Sequence, residues 1–351
     1  MVIGPLRRAA YEYLPLARRL HRGHLMDLRE SFWEVLVDTS SPVHHMVKDV
    51  TIQALKRDLP GEERSELRRK LTPDYPPGCK RILISDDYYP ALAQPHVTLE
   101  TASIVHATPH GLQIERGWNS TSGQHQPLEH NIDVLVFATG FKATQFLHPL
   151  NVHVKGKPTT LREQWDKTGA QAYLGMTVPG FPNFAVAYGP NTNLGHNSII
   201  LMIEAQSQYI NRLIAAVCKN VTRSQVPGPY LSIQPKAEQS DGWNAEVQER
   251  LGESTLASAL CSSWYRAADG RITTNWSDTA VEYQKAVSSV DWTAFHLEGP
   301  GAEELVAKGR TSWARVVEES RTLERVLAWG SVISVGIGAA TLGWHHFSMV
   351  L

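Results

Sequence analysis

Cysteine is scarce in this chain. The 351 residues include three, Cys79, Cys218 and Cys261. They are far apart and odd in number, and no Cys-x-x-Cys occurs, which excludes a zinc signature. The spacing predicts no disulfide framework and suits a reducing, intracellular compartment. An excess of charge of one sign is also missing: 34 Lys and Arg against 35 Asp and Glu leave a formal charge of −1. No electrostatic case then exists for nucleic acid as a partner. The 15 histidines include no His-Glu-x-x-His. The pairs His44-His45 and His345-His346 read as surface or loop residues, and no metal site is expected. No secretory signal is present, because Arg7-Arg8 leads into no long apolar region.

Long hydrophobic runs are absent until the end. Val326 to Trp344 is 19 residues without a formal charge, close to the roughly 20 apolar residues of a spanning helix. Ser331, Ser334 and four glycines dilute it. A membrane anchor and a packed terminal helix are therefore both open. Within this stretch Gly336-Ile337-Gly338-Ala339-Ala340-Thr341 imitates a dinucleotide fingerprint. Only ten residues follow it, too few for the helix, second strand and acidic residue the fingerprint requires. Its small residues suit helix packing better.

What is present is enough for a core, at 42% hydrophobic residues, and one large or two ordinary domains are expected. Residues 6–71 read as amphipathic helices, with Leu14, Leu16, Leu20, Leu25 and Leu28 among Arg18, Arg19, Arg22 and Arg29. Glu62 to Lys70 reads as a charged helix ended by Thr72-Pro73. Short strands are expected at Arg81–Ser85, Val97–Leu99, Ser103–Val105 and Leu112–Ile114, with a turn or short helix at Asp86–Pro90. Gly117 to Pro127 should be an exposed loop, and residues 142–182 should be loop-rich. Asn183–Tyr188 reads as a buried strand. The helix after it, from Ser198 to about Val217, takes Ile200, Ile203, Ile210, Leu213 and Ile214 as its apolar stripe.

The stretch Asn131-Ile132-Asp133-Val134-Leu135-Val136-Phe137-Ala138-Thr139-Gly140-Phe141 reads as a buried strand running into a small-residue turn. Asp-x-Leu-Val-x-Ala-Thr-Gly-Phe resembles the linker between the nucleotide-binding domains of flavin-dependent monooxygenases. Tyr188-Gly189-Pro190-Asn191-Thr192-Asn193-Leu194-Gly195-His196-Asn197-Ser198 is similar to the second flavin-domain signature of the Baeyer–Villiger branch. Leu71-Thr72-Pro73-Asp74-Tyr75-Pro76-Pro77-Gly78-Cys79-Lys80-Arg81 resembles the segment with that branch's active-site arginine. Cys261–Tyr265 and Thr274-Asn275-Trp276 resemble its C-terminal segment. The phrases keep the family's order and cover most of residues 15–285.

The resemblance implies an α/β fold: an incomplete flavoprotein with two dinucleotide-binding domains, partial doubly wound Rossmann-like sheets and a helical N-terminal insertion. The implied layout is a helical insertion at 1–72, the remainder of an NADP-binding domain at 73–132, and the C-terminal part of an FAD-binding domain at 133–290. A helical tail would follow at 291–325 and a candidate transmembrane helix at 326–344. A whole member also carries Gly-x-Gly-x-x-Gly for FAD, Phe-x-Gly-x-x-x-His-x-x-x-Trp, and a second glycine fingerprint for NADP. None occurs here, so the resemblance is to the C-terminal portion of a member.

The implied chemistry uses FAD, NADPH and O2 to insert one oxygen atom into a ketone through a peroxyflavin, giving an ester or lactone. A bulky ketone in secondary metabolism is expected by analogy. Arg81 is the implied catalytic cation, because a guanidinium stays charged beside a developing oxyanion. Lys80 would contact NADP. Thr139, Gly140, Asn191 and Asn193 would bind flavin, and Trp264 would order with NADP. Leu194, Gly195 and His196 would face substrate. Bland alternatives exist: an exposed basic pair at 80–81, a capped helix start at 191–198, and a core aromatic at 264. At the level of the whole chain, the alternative is a truncated, non-catalytic remnant or a membrane-tethered binding or assembly subunit. A second chain supplying the missing fingerprints would reconcile the truncation with activity.

Overall fold

A computed structural model describes residues 3–119, 124–221, 230–267 and 269–313. The helices are α1 (Pro5–Tyr13), α2 (Pro15–Ser31), α3 (Glu34–Val37), α4 (Pro42–Asp58), α5 (Ser65–Leu71), α6 (Tyr88–Leu92), α7 (Leu161–Thr168), α8 (Ile199–Val221), α9 (Ala237–Gly252), α10 (Ala280–Ala286) and α11 (Ala302–Lys308). The strands are β1 (Ile104–Ala107), β2 (Gly111–Asn119), β3 (Gln124–Asn131), β4 (Ser232–Pro235), β5 (Ser289–Asp291), β6 (Phe295–Glu298) and β7 (Arg310–Ser312). The chain divides into two compact units. The described residues of the first come from 3–45, 76–81 and 143–313, and those of the second from 46–75 and 82–142.

The first unit holds the main core. α8 buries Met202, Ala205, Gln206, Tyr209 and Leu213, a spacing of three and four that puts all five on one helical face. They meet Leu251 of α9, Tyr283 of α10, Val290 of β5 and Phe295 of β6. The buried stripe is rotated from the expected one: Ile200 and Ile214 are exposed. Gln206 takes the buried face because its amide has partners. Gln206 donates to Tyr283 Oη at 2.8 Å and accepts from Tyr188 N at 2.8 Å, which removes the cost of burying the amide. A smaller core gathers Leu161, Trp165, Ala172, Val178 and Phe181 around α7. Thr160 and Glu163 form a capping box at the start of α7.

The second unit contains most of α4, with α5, α6 and an antiparallel sheet in the order β1-β2-β3. The β2–β3 hairpin occupies much of 117–127, where a loop was expected. Gly111 faces Asn131 and Trp118 faces His125 across it. The helices expected before residue 72 are present, with Thr72 capping α5.

Other expectations fail. Among the described residues every paired strand is antiparallel, in one three-stranded and two two-stranded sheets, so no doubly wound parallel sheet is present there. The segments expected to build one are irregular: 81–85, 97–99, 131–141 beyond the end of β3, and 183–188. Val134, Val136 and Phe137 are 77–79% exposed and Leu83 and Ile84 are 81% and 88% exposed. An apolar segment becomes a buried strand only when neighbours pair its amides and cover both faces. Among the described residues no strand pairs with 81–85, 97–99 or 133–141; in 183–188, Asn183 N donates to Ile233 O and Val186 N to Met176 O, both at 2.9 Å, without forming a ladder. Ala185 makes one isolated bridge, to Thr177. Residues 291–313, expected to be helical, alternate short helix and strand.

The expectation of unpaired cysteines is also overturned. Cys79 and Cys261 form a disulfide across 182 residues of sequence, with Cα atoms 5.5 Å apart. Sequence distance hid the pair, because the fold returns the 255–265 segment to residue 79. Among the described residues no helix is long and apolar enough to cross a membrane, and no group of His, Cys, Asp and Glu could hold a metal. The stretch 326–344, with its imitation fingerprint, lies outside the described residues.

Candidate functional site

The loop from Tyr188 to Ser198 enters α8 and is built on polar contacts to residues 272–276. Asn191 is fully buried with a left-handed φ of 57°, which asparagine tolerates better than most residues. Its Nδ2 donates to Ile272 O at 2.7 Å and Asn275 O at 2.8 Å, and its backbone N to Thr273 O at 2.9 Å. Asn193 accepts from Tyr188 Oη at 2.7 Å and donates to Asn275 Oδ1 at 3.1 Å. Thr274 Oγ1 donates to the same Asn275 oxygen at 2.9 Å. Two glycines let the loop close. A Cβ on Gly175 would lie 2.1 Å from Thr192 Cγ2, and one on Gly189 would lie 2.3 Å from Gly175 O.

Arg81 arrives at this loop from 113 residues away, and its Nη1 donates to Leu194 O at 3.3 Å. Its charge reaches two phenols. Burial raises the pKa of Tyr188 and of Tyr265, and the Arg81 guanidinium lowers both. The Tyr265 hydroxyl is buried without a hydrogen-bond partner of good geometry. Trp264, half exposed, lies with its ring centroid 4.3 Å from that of Tyr265.

His196 is the other notable group. Its side chain is only 2% exposed, and neither ring nitrogen has a hydrogen-bond partner. Nε2 is 3.5 Å from Glu30 Oε1, within ion-pair reach when the ring is protonated. Trp33 leans on the imidazole at 5.4 Å between centroids. Burial tends to raise the Glu30 carboxyl. The His196 side chain, the Asn197 amide and the Val281 backbone N–H outweigh burial and hold it below its ordinary value.

The structure thus brings Arg81, Asn191, Asn193, Leu194, Gly195, His196 and Trp264 into one unit. Lys80 is exposed beside Arg81. Leu194 is 1% exposed and belongs to the core, so its backbone carbonyl, not its side chain, meets Arg81. The Asn191 amide donors are spent on the protein's own carbonyls. Thr139 and Gly140 lie in the other unit and are exposed, Gly140 at a φ of 83°. Sequence reasoning missed Glu30, Trp33 and the Cys79–Cys261 bond. Glu30 carried one weak signal, a carboxylate on the same face of α2 as the buried Gly23 and Met26.

No family model matches the chain. The FAD-binding monooxygenase ktnD of Aspergillus niger is 40% identical over 334 residues, 95% of this chain and 52% of that protein. A Baeyer–Villiger monooxygenase of Streptomyces coelicolor is 36% identical over 308 residues, 87% of this chain and 54% of that protein. The chain is a relative of the Baeyer–Villiger monooxygenases. It spans about half the length of the curated relatives it matches. Among solved structures, the OTEMO complex with FAD and NADP shares the fold at a TM-score of 0.60 and 21% identity, over 80% of this chain and 51% of that one. The likeness of the Tyr188–Ser198 and Leu71–Arg81 phrases to this family therefore extends over most of the chain.

Proposed function

We propose that this chain forms the Arg81-centred part of an FAD- and NADPH-dependent monooxygenase that inserts one oxygen atom of O2 into a bulky ketone, in secondary metabolism. The observation that carries the reading is the Arg81 to Leu194 O hydrogen bond at 3.3 Å. It joins two phrases that each resemble the family and that are remote in sequence.

The residues present fit the ring side of a flavin. Arg81 is a permanent cation with N–H donors beyond the one given to Leu194 O. The Tyr265 hydroxyl and the His196 ring nitrogens are buried polar atoms without a well-formed hydrogen bond, so they have bonding capacity left for a ligand. The flavin, when bound, supplies the redox and oxygen chemistry. The protein's part is positional and electrostatic. Arg81 stabilises negative charge developing on oxygen, which a guanidinium does without proton bookkeeping. His196 and Gly195 line the ketone side, where His196 can hold a proton at Nε2 toward Glu30. Asn191 and Asn193 fix the loop that presents them. Lys80 and Trp264 would contact NADPH, and the resemblance gives Thr139 and Gly140 a flavin-binding role.

One observation favours a second reading for the chain alone. The exposed runs at 82–84 and 134–137 are apolar surfaces of the kind that pair with further strands. A second polypeptide bearing the glycine fingerprints would cover them. Without it the chain would be a non-catalytic binding or assembly subunit. Purification tests both readings. Bound-flavin absorbance, with NADPH oxidation that depends on a bulky ketone and falls in Arg81→Ala, is the expected result. Colourless folded protein that takes up no FAD, alone or with a fingerprint-bearing chain, would refute the first reading.

A further inference from the structure

The segment that carries Arg81 is short and irregular. Residues 76–81 enter the first unit as six residues between stretches of the second, and they contain neither helix nor strand. Their backbone makes one internal hydrogen bond, Cys79 N to Pro76 O at 3.2 Å. Arg81 is an exposed side chain on a 3.3 Å hydrogen bond, an interaction that by itself fixes little. Two features anchor the segment more firmly. Gly78 lies flush on its neighbours, since a Cβ there would be 2.6 Å from Leu36 Cδ2 and 3.3 Å from Thr255 Oγ1. Cys79, 0% exposed, is bonded to Cys261, 4% exposed. Arg81 is two residues past one end of that bond, and Trp264 and Tyr265 are three and four past the other.

We propose that the Cys79–Cys261 disulfide is a positioning device for Arg81. Oxidised, it keeps the guanidinium against the Leu194 carbonyl and near Tyr188 and Tyr265. Reduced, it lets the 76–81 segment leave the loop. The catalytic consequence rests on the reading of Arg81 given above; the placement does not. Release is an ordinary exchange. A dithiol reductant gives up two electrons and two protons and closes to its own disulfide, the Cys79–Cys261 S–S bond breaks, and two thiols form.

The test uses the full chain, purified without reductant. Alkylation under denaturing conditions followed by peptide mass mapping should find residues 79 and 261 linked and Cys218 alone alkylated. Alkylated Cys79 and Cys261 would overturn the proposal. Phenylglyoxal labelling of native protein then reads the placement. After reduction, Arg81 should react roughly threefold faster or more, the ratio expected for losing one modest hydrogen bond. Arg250, paired with Glu246 and Asp278, is the internal reference and should not change. An unchanged Arg81, or an equal rise at both arginines, refutes positioning. Cys261→Ser should reproduce the Arg81 change without reductant; reduction of the wild-type protein keeps the test decisive if that variant does not fold. In a flavin-loaded, active preparation, Cys261→Ser should slow turnover in the wild-type background and add nothing in Arg81→Ala; equal losses in both would overturn the proposal. Absence of flavin binding would instead sink the proposed function and leave the mapping and labelling results standing.

Discussion

Asn191→Asp changes one side-chain atom and tests the architecture of the loop. The side chain is 0% exposed, and Nδ2 donates to Ile272 O at 2.7 Å and Asn275 O at 2.8 Å. A carboxylate there would lose both donors and turn an acceptor toward two carbonyl oxygens. Each lost hydrogen bond costs about 1 kcal/mol, and the Asn275 carbonyl left unsatisfied adds about 1 kcal/mol or more, whereas Ile272 O keeps its bond from Gln248 Nε2 at 2.9 Å. The expected destabilisation is about 3 kcal/mol at neutral pH, which lowers the melting temperature by roughly 8 °C. Asn191→Gly separates the contributions, because glycine keeps the φ of 57° without strain and introduces no charge. It should fall between wild type and Asn191→Asp. The pH dependence has a definite sign. Burial opposite two carbonyls raises the folded-state pKa of the new carboxyl above its unfolded value of about 3.9. The protonated form can donate to one carbonyl, so the deficit is largest at neutral pH and shrinks on acidification. Calorimetry across pH 4–8 reads all of this. A melting temperature within about 1 °C of wild type, or no difference between the two variants, would refute the argument.

Three further outcomes follow from the same coordinates. Gly175→Ala places a Cβ 2.1 Å from Thr192 Cγ2 at a φ of 69°; strain and overpacking should cost about 2–4 kcal/mol in chemical denaturation, and an unchanged midpoint would mean the 175–192 contact is not close. Glu30→Gln should make the acid limb of the stability profile shallower. The Glu30 carboxyl is held below its ordinary 4.5, so its contribution is present above that pH and lost as pH falls through the folded value. The wild-type advantage should thus vanish in acid, and a gap independent of pH would count against it. Thr160→Ala removes a cap that accepts from Glu163 N at 3.2 Å and should cost about 1 kcal/mol, read by thermal melting, with no effect on flavin uptake.

Some of this architecture was legible residue by residue. The helices before Thr72 and the helix after Ser198 follow from apolar periodicity and end signals, which are local properties. The strands at Ile104–Ala107 and in the first part of Gly111–Asn119 follow from β-branched residues between turn formers, whereas residues 117–119 read as loop. The runs at 81–85, 133–138 and 183–188 carried the same β-formers and did not become strands. Composition supplies a segment's preference for the extended state, but a ladder comes from neighbours; among the described residues 81–85 and 133–138 have none, and 183–188 has only single amide bonds and one bridge. The rotated face of α8 failed for a related reason. Gln206 and Tyr209 score as polar or mixed, yet their burial is favourable once Gln206 is bonded to Tyr283 and Tyr188.

The sequence by itself determined the family likeness, the helices before Thr72 and after Ser198, and the identity of the residues at the loop, because these reside in short contiguous patterns. Only the tertiary structure decided that Arg81 meets Leu194, that Glu30 faces His196, and that Cys79 joins Cys261. Each of those contacts spans more than a hundred residues. Chain distance says nothing about such pairs until packing of the intervening core has set where the two segments lie.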